Sequence, residues 1–140
     1  MPTWLIVEDE PDIQTMIQAM FQTWGVNGLA FSDGLDALKW IEACEASRVA
    51  IPQRPDLALI DIRLPGVSGL EVSARLRNSK QLGHSAILLM TAYRLAESQL
   101  ETVMRASQAD RLIYKPLPMI EPFHRLLNEM IEARHLNRGD

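Results

Sequence analysis

The chain has 140 residues, 47% apolar and 23% charged, which is enough to bury one real core within a single domain. Its net charge of −4 lacks the basic excess of a broad nucleic-acid footprint, and its single cysteine, Cys44, excludes an intramolecular disulfide and fits a reducing compartment. The start, MPTWLIVEDE, has no basic n-region, and the longest apolar run, around Ser85–Tyr93, is far short of the ~20 residues of a membrane span, so a soluble cytoplasmic protein is expected.

Short apolar runs alternate with segments of helical period. Trp4–Val7 reads as a strand that ends in acids. From Pro11 the period predicts a helix with Ile13, Met16, Ile17, Met20, Phe21 and Trp24 on one face, stopped by Gly25. Val26–Phe31 is a weaker strand interrupted by Gly28, and Ser32 is placed to cap a helix whose core face includes Ala37, Leu38 and Ile41. Ile51–Pro55, with two prolines, reads as a loop, and Leu57–Ile60 as the central strand. A helix over Gly69–Asn78, a strand over Ala86–Met90 and a helix over Leu95–Ala106 follow. Arg111–Tyr114 is a short strand, Pro118–Arg134 a last helix, and His135–Asp140 a polar, loose tail. The β-α unit recurs five times, so the expected fold is α/β: a doubly wound parallel sheet with helices on both faces. One domain over residues 1–134 and a flexible tail over 135–140 are expected.

In an open parallel sheet, ligands bind beyond the carboxyl ends of the strands, where strand order reverses. Glu8 and Asp9 follow the first strand and Asp61 ends the third. If those strands are neighbours, three like charges share one pocket, which raises at least one pKa unless a cation holds them ionised. An all-oxygen cluster suits Mg²⁺ better than a soft metal. Thr91 ends the fourth strand and Lys115 the fifth. A hydroxyl and an ammonium aimed at one point would steady a phosphoryl group, and a carboxylate is a competent covalent nucleophile.

The stretches LIVEDEPD, PDLALIDIRLPGVSGLE, ILLMTAY and YKP, in this order along residues 4–131, resemble the receiver domain of bacterial two-component response regulators. The resemblance implies a three-layer, flavodoxin-like sheet of five parallel strands in the order 2-1-3-4-5. It implies an aspartate that takes a phosphoryl group from a sensor histidine kinase or a histidine phosphotransfer protein, in a Mg²⁺-dependent reaction. Carried over, Asp61 resembles the phosphoacceptor, and Asp9 a direct metal ligand. Glu8 resembles an acid that acts on the metal mainly through water, and the backbone carbonyl of Arg63 the remaining ligand. Thr91 resembles the switch hydroxyl and Lys115 the lysine that pairs with the phosphoryl oxygen. The Lys115–Pro116 bond is expected to be cis. A homodimer through the fourth helix, last strand and last helix is a further family trait.

Some positions depart from the family pattern. Glu8 stands where Asp is commoner, Leu112 replaces the usual aromatic three residues before Lys115, and Gln108 replaces a frequent Gly. Tyr114 is expected to point to the other face of its strand. Arg63 and Tyr93, both bulky, border the site and are expected to tune the lifetime of the aspartyl phosphate. Taken singly, each feature has a blander use: Asp9 or Thr91 as a helix cap, Lys115 as a surface charge, the methionines as core filler. His84, His124 and His135 show no ligand spacing, and Cys44 reads as an inert, partly buried thiol. Two other classes compete with a phosphorylation-switched module that is not an enzyme in its own right. A pseudo-receiver scaffold would have lost part of the acid, Thr and Lys set. A Mg²⁺-dependent phosphohydrolase with an aspartate nucleophile would need a second Asp two residues later, where this chain has Arg63. A stand-alone receiver and one cut from a longer regulator or hybrid kinase both fit the sequence.

Overall fold

The computed structural model describes residues 1–47 and 54–137. The elements, in chain order, are β1 (Thr3–Val7), α1 (Pro11–Thr23), β2 (Asn27–Phe31), α2 (Gly34–Ala46), β3 (Leu57–Asp61), α3 (Gly69–Arg77), β4 (Ala86–Thr91), α4 (Glu97–Ser107), β5 (Arg111–Tyr114) and α5 (Ile120–Asn137). The five strands form one parallel sheet in the order β2-β1-β3-β4-β5, as expected. The central strands β1, β3 and β4 are buried on both faces, which is why they read as continuous apolar runs rather than alternating ones.

Strand alternation sorts the core into two layers. Leu57, Leu59, Leu88 and Met90 pack with Ile17 and Phe21 of α1 and with Phe123, Leu127 and Met130 of α5. Ala58, Ile60, Ile87 and Leu89 pack with Ala37 and Ile41 of α2, Val72 and Leu76 of α3, and the half-buried Val103 and Met104 of α4. Helices on both faces leave the carboxyl ends of the strands as one open rim. Among the described residues, no helix is long and apolar enough to cross a membrane.

Several local expectations are corrected. Asp33, not Ser32, caps α2: its side chain accepts from Asp36 N–H at 2.7 Å, because the helix begins one residue later than the cap at Ser32 required. β2 runs unbroken through Gly28, whose carbonyl accepts from the Gln18 side chain. Met16 is exposed, because the buried stripe of α1 centres on Ile17 and Phe21. Helix α5 starts at Ile120 and runs past Arg134 through His135 and Leu136, with basic side chains in its last turn to complement the helix dipole. The expected loop over Ile51–Pro55 lies largely outside the described residues. Cys44 is half-buried, and burial pushes its thiol pKa up, in line with an inert thiol.

Away from the rim, at the amino ends of the strands, Arg77 organises a polar knot. Its guanidinium donates to Ser85 O at 2.6 Å and Gly83 O at 3.0 Å and pairs with Asp110 at 2.7 Å. Asp110 in turn accepts from Ile87 N–H at 2.8 Å. The knot ties α3 to the starts of β4 and β5 and leaves the opposite rim free for chemistry.

Candidate functional site at the carboxyl edge of the sheet

β1 and β3 are hydrogen-bonded neighbours with Val7 opposite Ile60, so the chain carries Glu8 and Asp61 to the same level of the rim. Carboxylate oxygens of Glu8, Asp9 and Asp61 lie within 4.8 Å of one another. Glu8 is fully buried, Asp61 is 5% exposed and Asp9 is exposed. Lys115, the residue after β5, reaches back across β4's end into this group. Its Nζ lies 2.7 Å from Asp61 Oδ2, 2.6 Å from Glu8 Oε1 and 3.4 Å from Glu10 Oε1. Glu10, the third acid of the run Glu8–Glu10, joins the site through this last contact, and the run itself is its one signal in the sequence.

These contacts set the ionisation. Burial pushes Glu8 up to about 7, and the neighbouring Asp61 adds to the rise while Lys115 opposes it. Burial also pulls the Lys115 ammonium down, but its hydrogen bond to Asp61 and its charge attraction to Asp61 and Glu8 outweigh that and hold it above the usual lysine range. Glu8 Oε1 is paired in charge with Lys115 yet has no hydrogen-bond donor aligned on it, an underserved buried oxygen. Three carboxylates that offer only oxygen, one of them underserved, fit a hard divalent cation such as Mg²⁺.

The β3–α3 turn is built to hold Asp61 at the edge. Ile62 N–H bonds to Met90 O, Gly69 N–H returns to Ile62 O at 2.8 Å, and Arg63 N–H donates to Asp61 Oδ1 at 3.1 Å. Gly69 is required here, since a Cβ would lie 1.9 Å from the Asp61 carbonyl oxygen. Ser68 caps α3 through Glu71 N–H. A shallow pocket of about 190 Å³ opens above the acids, lined by Asp9, Glu10, Asp61, Arg63, Ala92, Tyr93 and Lys115. The Arg63 guanidinium lies 3.9 Å from the centroid of the exposed Tyr93 ring, so the two bulky residues form one wall together.

Thr91 is 2% exposed and is not part of the pocket wall; its hydroxyl accepts from Tyr93 N–H at 3.2 Å. It does not cap α4, whose start is held by the Gln99 side chain accepting from Ala96 N–H. The Lys115–Pro116 bond is cis. Tyr114 faces the same side as Leu112, toward α4, because residues two apart in a strand share a face; the expectation that it points away is corrected. Gln108 adopts φ 56°, the left-handed geometry that a glycine would meet without strain.

The carboxyl edge of the 2-1-3-4-5 sheet thus carries an acid cluster with one lysine paired to it. The response regulator receiver domain family matches residues 4–126. The chain is 32% identical over 141 residues to the transcriptional regulatory protein AfsQ1 of Streptomyces coelicolor, covering 100% of this chain and 53% of that protein. It is 31% identical over 113 residues to the polar-differentiation response regulator DivK of Brucella anthropi, covering 81% of this chain and 83% of DivK. Among solved structures, the receiver domain of sensor histidine kinase PA1611 from Pseudomonas aeruginosa, with magnesium in its active-site cleft, superposes with a TM-score of 0.74 at 27% identity, over 94% of this chain and 98% of that one. The chain thus spans about half the length of AfsQ1 but most of DivK. Receiver domains are signalling modules that take phosphoryl groups from histidine kinases, and on its matched residues, its strand order and its acid cluster this chain belongs to the receiver family of two-component response regulators.

Proposed function

We propose that Asp61 is the phosphoacceptor of a phosphorylation-switched module, fed by a sensor histidine kinase or a histidine phosphotransfer protein. The observation that carries the reading is the convergence of Glu8, Asp9 and Asp61 on one point, with the Lys115 ammonium on Asp61. An Asp61 carboxylate oxygen forms the new bond to phosphorus as the phosphorus–nitrogen bond of phosphohistidine breaks, and the electron pair leaves with the imidazole. Glu8, Asp9, Asp61 and the backbone carbonyl of Arg63 would hold Mg²⁺, which when bound supplies positive charge against the phosphoryl oxygens. Lys115 is placed to follow the charge from the Asp61 carboxylate to a phosphoryl oxygen. The Thr91 hydroxyl, which accepts from Tyr93 N–H, would donate its own proton to a phosphoryl oxygen. Arg63 and Tyr93 together narrow access to the acyl phosphate and so set its lifetime.

The same proposal covers what surrounds the site. The receiver unit spans the chain from its first strand through α5, works in the cytoplasm, turns over no substrate besides its own acyl phosphate and contacts no nucleic acid directly. A homodimer through the face formed by α4, β5 and α5 is part of it. Intact-mass spectra after incubation with acetyl phosphate should show one added phosphoryl per chain, only with Mg²⁺, and none in Asp61→Asn. Equal labelling of that variant would falsify the assignment, and catalytic turnover of the donor beyond slow hydrolysis would favour a phosphohydrolase instead.

A further inference from the structure

The rim chemistry ends at β5, yet the loop that leads from β4 into α4 is held by a side chain of β5. Tyr114 is the register partner of Thr91 and the residue immediately before Lys115, whose own N–H bonds to Thr91 O at 2.8 Å. From that strand end the tyrosine ring reaches across to the loop. Its hydroxyl accepts from Leu95 N–H at 3.4 Å, and the Arg94 guanidinium lies 4.4 Å from the ring centroid. Leu95 stands two residues before the first residue of α4. One rigid ring therefore joins the strand end that carries Lys115 to the start of α4, from two sides: a hydrogen bond on its edge and a cation on its face. Leu112, on the same strand face, is aliphatic and has no polar atom with which to make such a link.

We propose that Tyr114 is a positioning residue that latches the start of α4 to the site, and that acyl-phosphate formation acts on α4 by releasing this latch. The second half rests on the reading of Asp61 as phosphoacceptor. Its physical basis is adjacency. A phosphoryl group on Asp61 gives Lys115 new oxygens to pair with and gives Thr91 a new acceptor. These two residues are the chain neighbour and the strand partner of Tyr114. The contact most exposed to their movement is the hydroxyl–amide bond, which at 3.4 Å is long and weak already.

The test is amide exchange read residue by residue on the full chain, in wild type, Tyr114→Phe and Arg94→Gln. Tyr114→Phe keeps the ring and removes only the acceptor. In the untreated protein, the Leu95 amide and those of the first turn of α4 should exchange about threefold faster in Tyr114→Phe, the factor that a hydrogen bond at the weak end of the range gives. Arg94→Gln should move the same amides in the same direction. On adding Mg²⁺ and beryllofluoride as a phosphoryl mimic, wild type should show faster exchange at these amides, whereas Tyr114→Phe should change by less than about twofold because its latch is already open. A merely structural role would leave that loaded-minus-unloaded difference intact. Labelling by acetyl phosphate should be equal in wild type and Tyr114→Phe. Unchanged Leu95 exchange in the untreated variant overturns the latch, and a full wild-type response to beryllofluoride in Tyr114→Phe overturns the coupling. If wild type itself takes up neither phosphoryl nor beryllofluoride, the reading of Asp61 fails and the coupling with it, while the untreated exchange rates still decide the latch.

Discussion

Replacing Lys115 by Met removes the cation from between two buried carboxylates, and the structure sets the scale of the result. The ammonium is 2.6 Å from Glu8 and 2.7 Å from Asp61, with only 8% of its side chain exposed. Deleting one partner of a buried pair costs about 3–5 kcal/mol, because a charge is left without compensation. Glu8 is already pushed up to about 7, so near neutrality it can take a proton instead, at about 1.4 kcal/mol per pKa unit. The expected loss for the metal-free variant is therefore about 2–3 kcal/mol at pH 7. The sign with pH follows from the direction of each shift. An acid raised above its unfolded value of 4.5 stabilises the fold below that value, and the benefit is lost as pH rises through about 7. A lysine raised above its unfolded 10.5 stabilises at all pH values below that, and the variant lacks this contribution. At pH 5.5 Glu8 is protonated in both proteins and only the Asp61 contact is missing, so the deficit should be smaller there than at pH 8. Saturating Mg²⁺ should recover more stability in Lys115→Met than in wild type, since it replaces the missing positive charge. Urea titrations at both pH values, with chelator and with Mg²⁺, measure all three. A deficit under about 1 kcal/mol that is equal at both pH values and indifferent to Mg²⁺ would show that Lys115 does not neutralise these acids.

At the opposite end of the sheet, Arg77→Ala should lower stability by about 3 kcal/mol, because it takes a donor from the Gly83, Ser85 and Gln108 carbonyls and leaves Asp110 with only Ile87 N–H and the more distant Arg134. The variant that still folds should label with acetyl phosphate as wild type does; lost labelling at full occupancy of the native state would contradict the separation of the two ends. Mg²⁺ should change tryptophan emission by no more than a few per cent. None of Trp4, Trp24 and Trp40 lines the pocket, and Ile62 follows Asp61; a large, saturable quench absent in Asp61→Asn would refute that placement.

The sheet was legible because β1, β3 and β4 are buried on both faces and so leave unbroken apolar runs flanked by acids and turns. The acids were legible for the same reason: a carboxylate directly after such a run can only stand at the rim. What sequence order misjudged was a matter of one residue or one direction. Ser32 and Asp33 are both good caps, and which of them serves depends on where α2 starts, which tertiary packing decides. Met16 fits an apolar stripe by spacing, but α1 rolls so that Ile17 and Phe21 are centred on the sheet. Tyr114 shares its face with Leu112, as the period of two counted from Leu112 requires, and not the expected opposite face. Glu10 is a partner only through Lys115 reaching across the rim, a contact between residues more than a hundred positions apart that no local pattern encodes.

The arrangement also explains why a strand should end in a carboxylate at all. Without a cation, the site holds Glu8, Asp9 and Asp61 within a few ångströms, and among the described residues Lys115 is the one cationic side chain paired with the two that are buried. That balance is incomplete, as the rise of Glu8 shows. A phosphoryl group on Asp61 would add negative charge to a place already short of positive charge. It could be accommodated only with a divalent cation on the acids and with Lys115 turned from carboxylate to phosphoryl oxygen. Lys115 is tied by its own N–H to Thr91 O, and the next residue back on that strand grips the approach to α4, so under the proposed latch the charge imbalance of the acid cluster would be felt at a helix. In the proposed scheme, the carboxylates that make the metal-free site costly would also tie its chemistry to a change of shape.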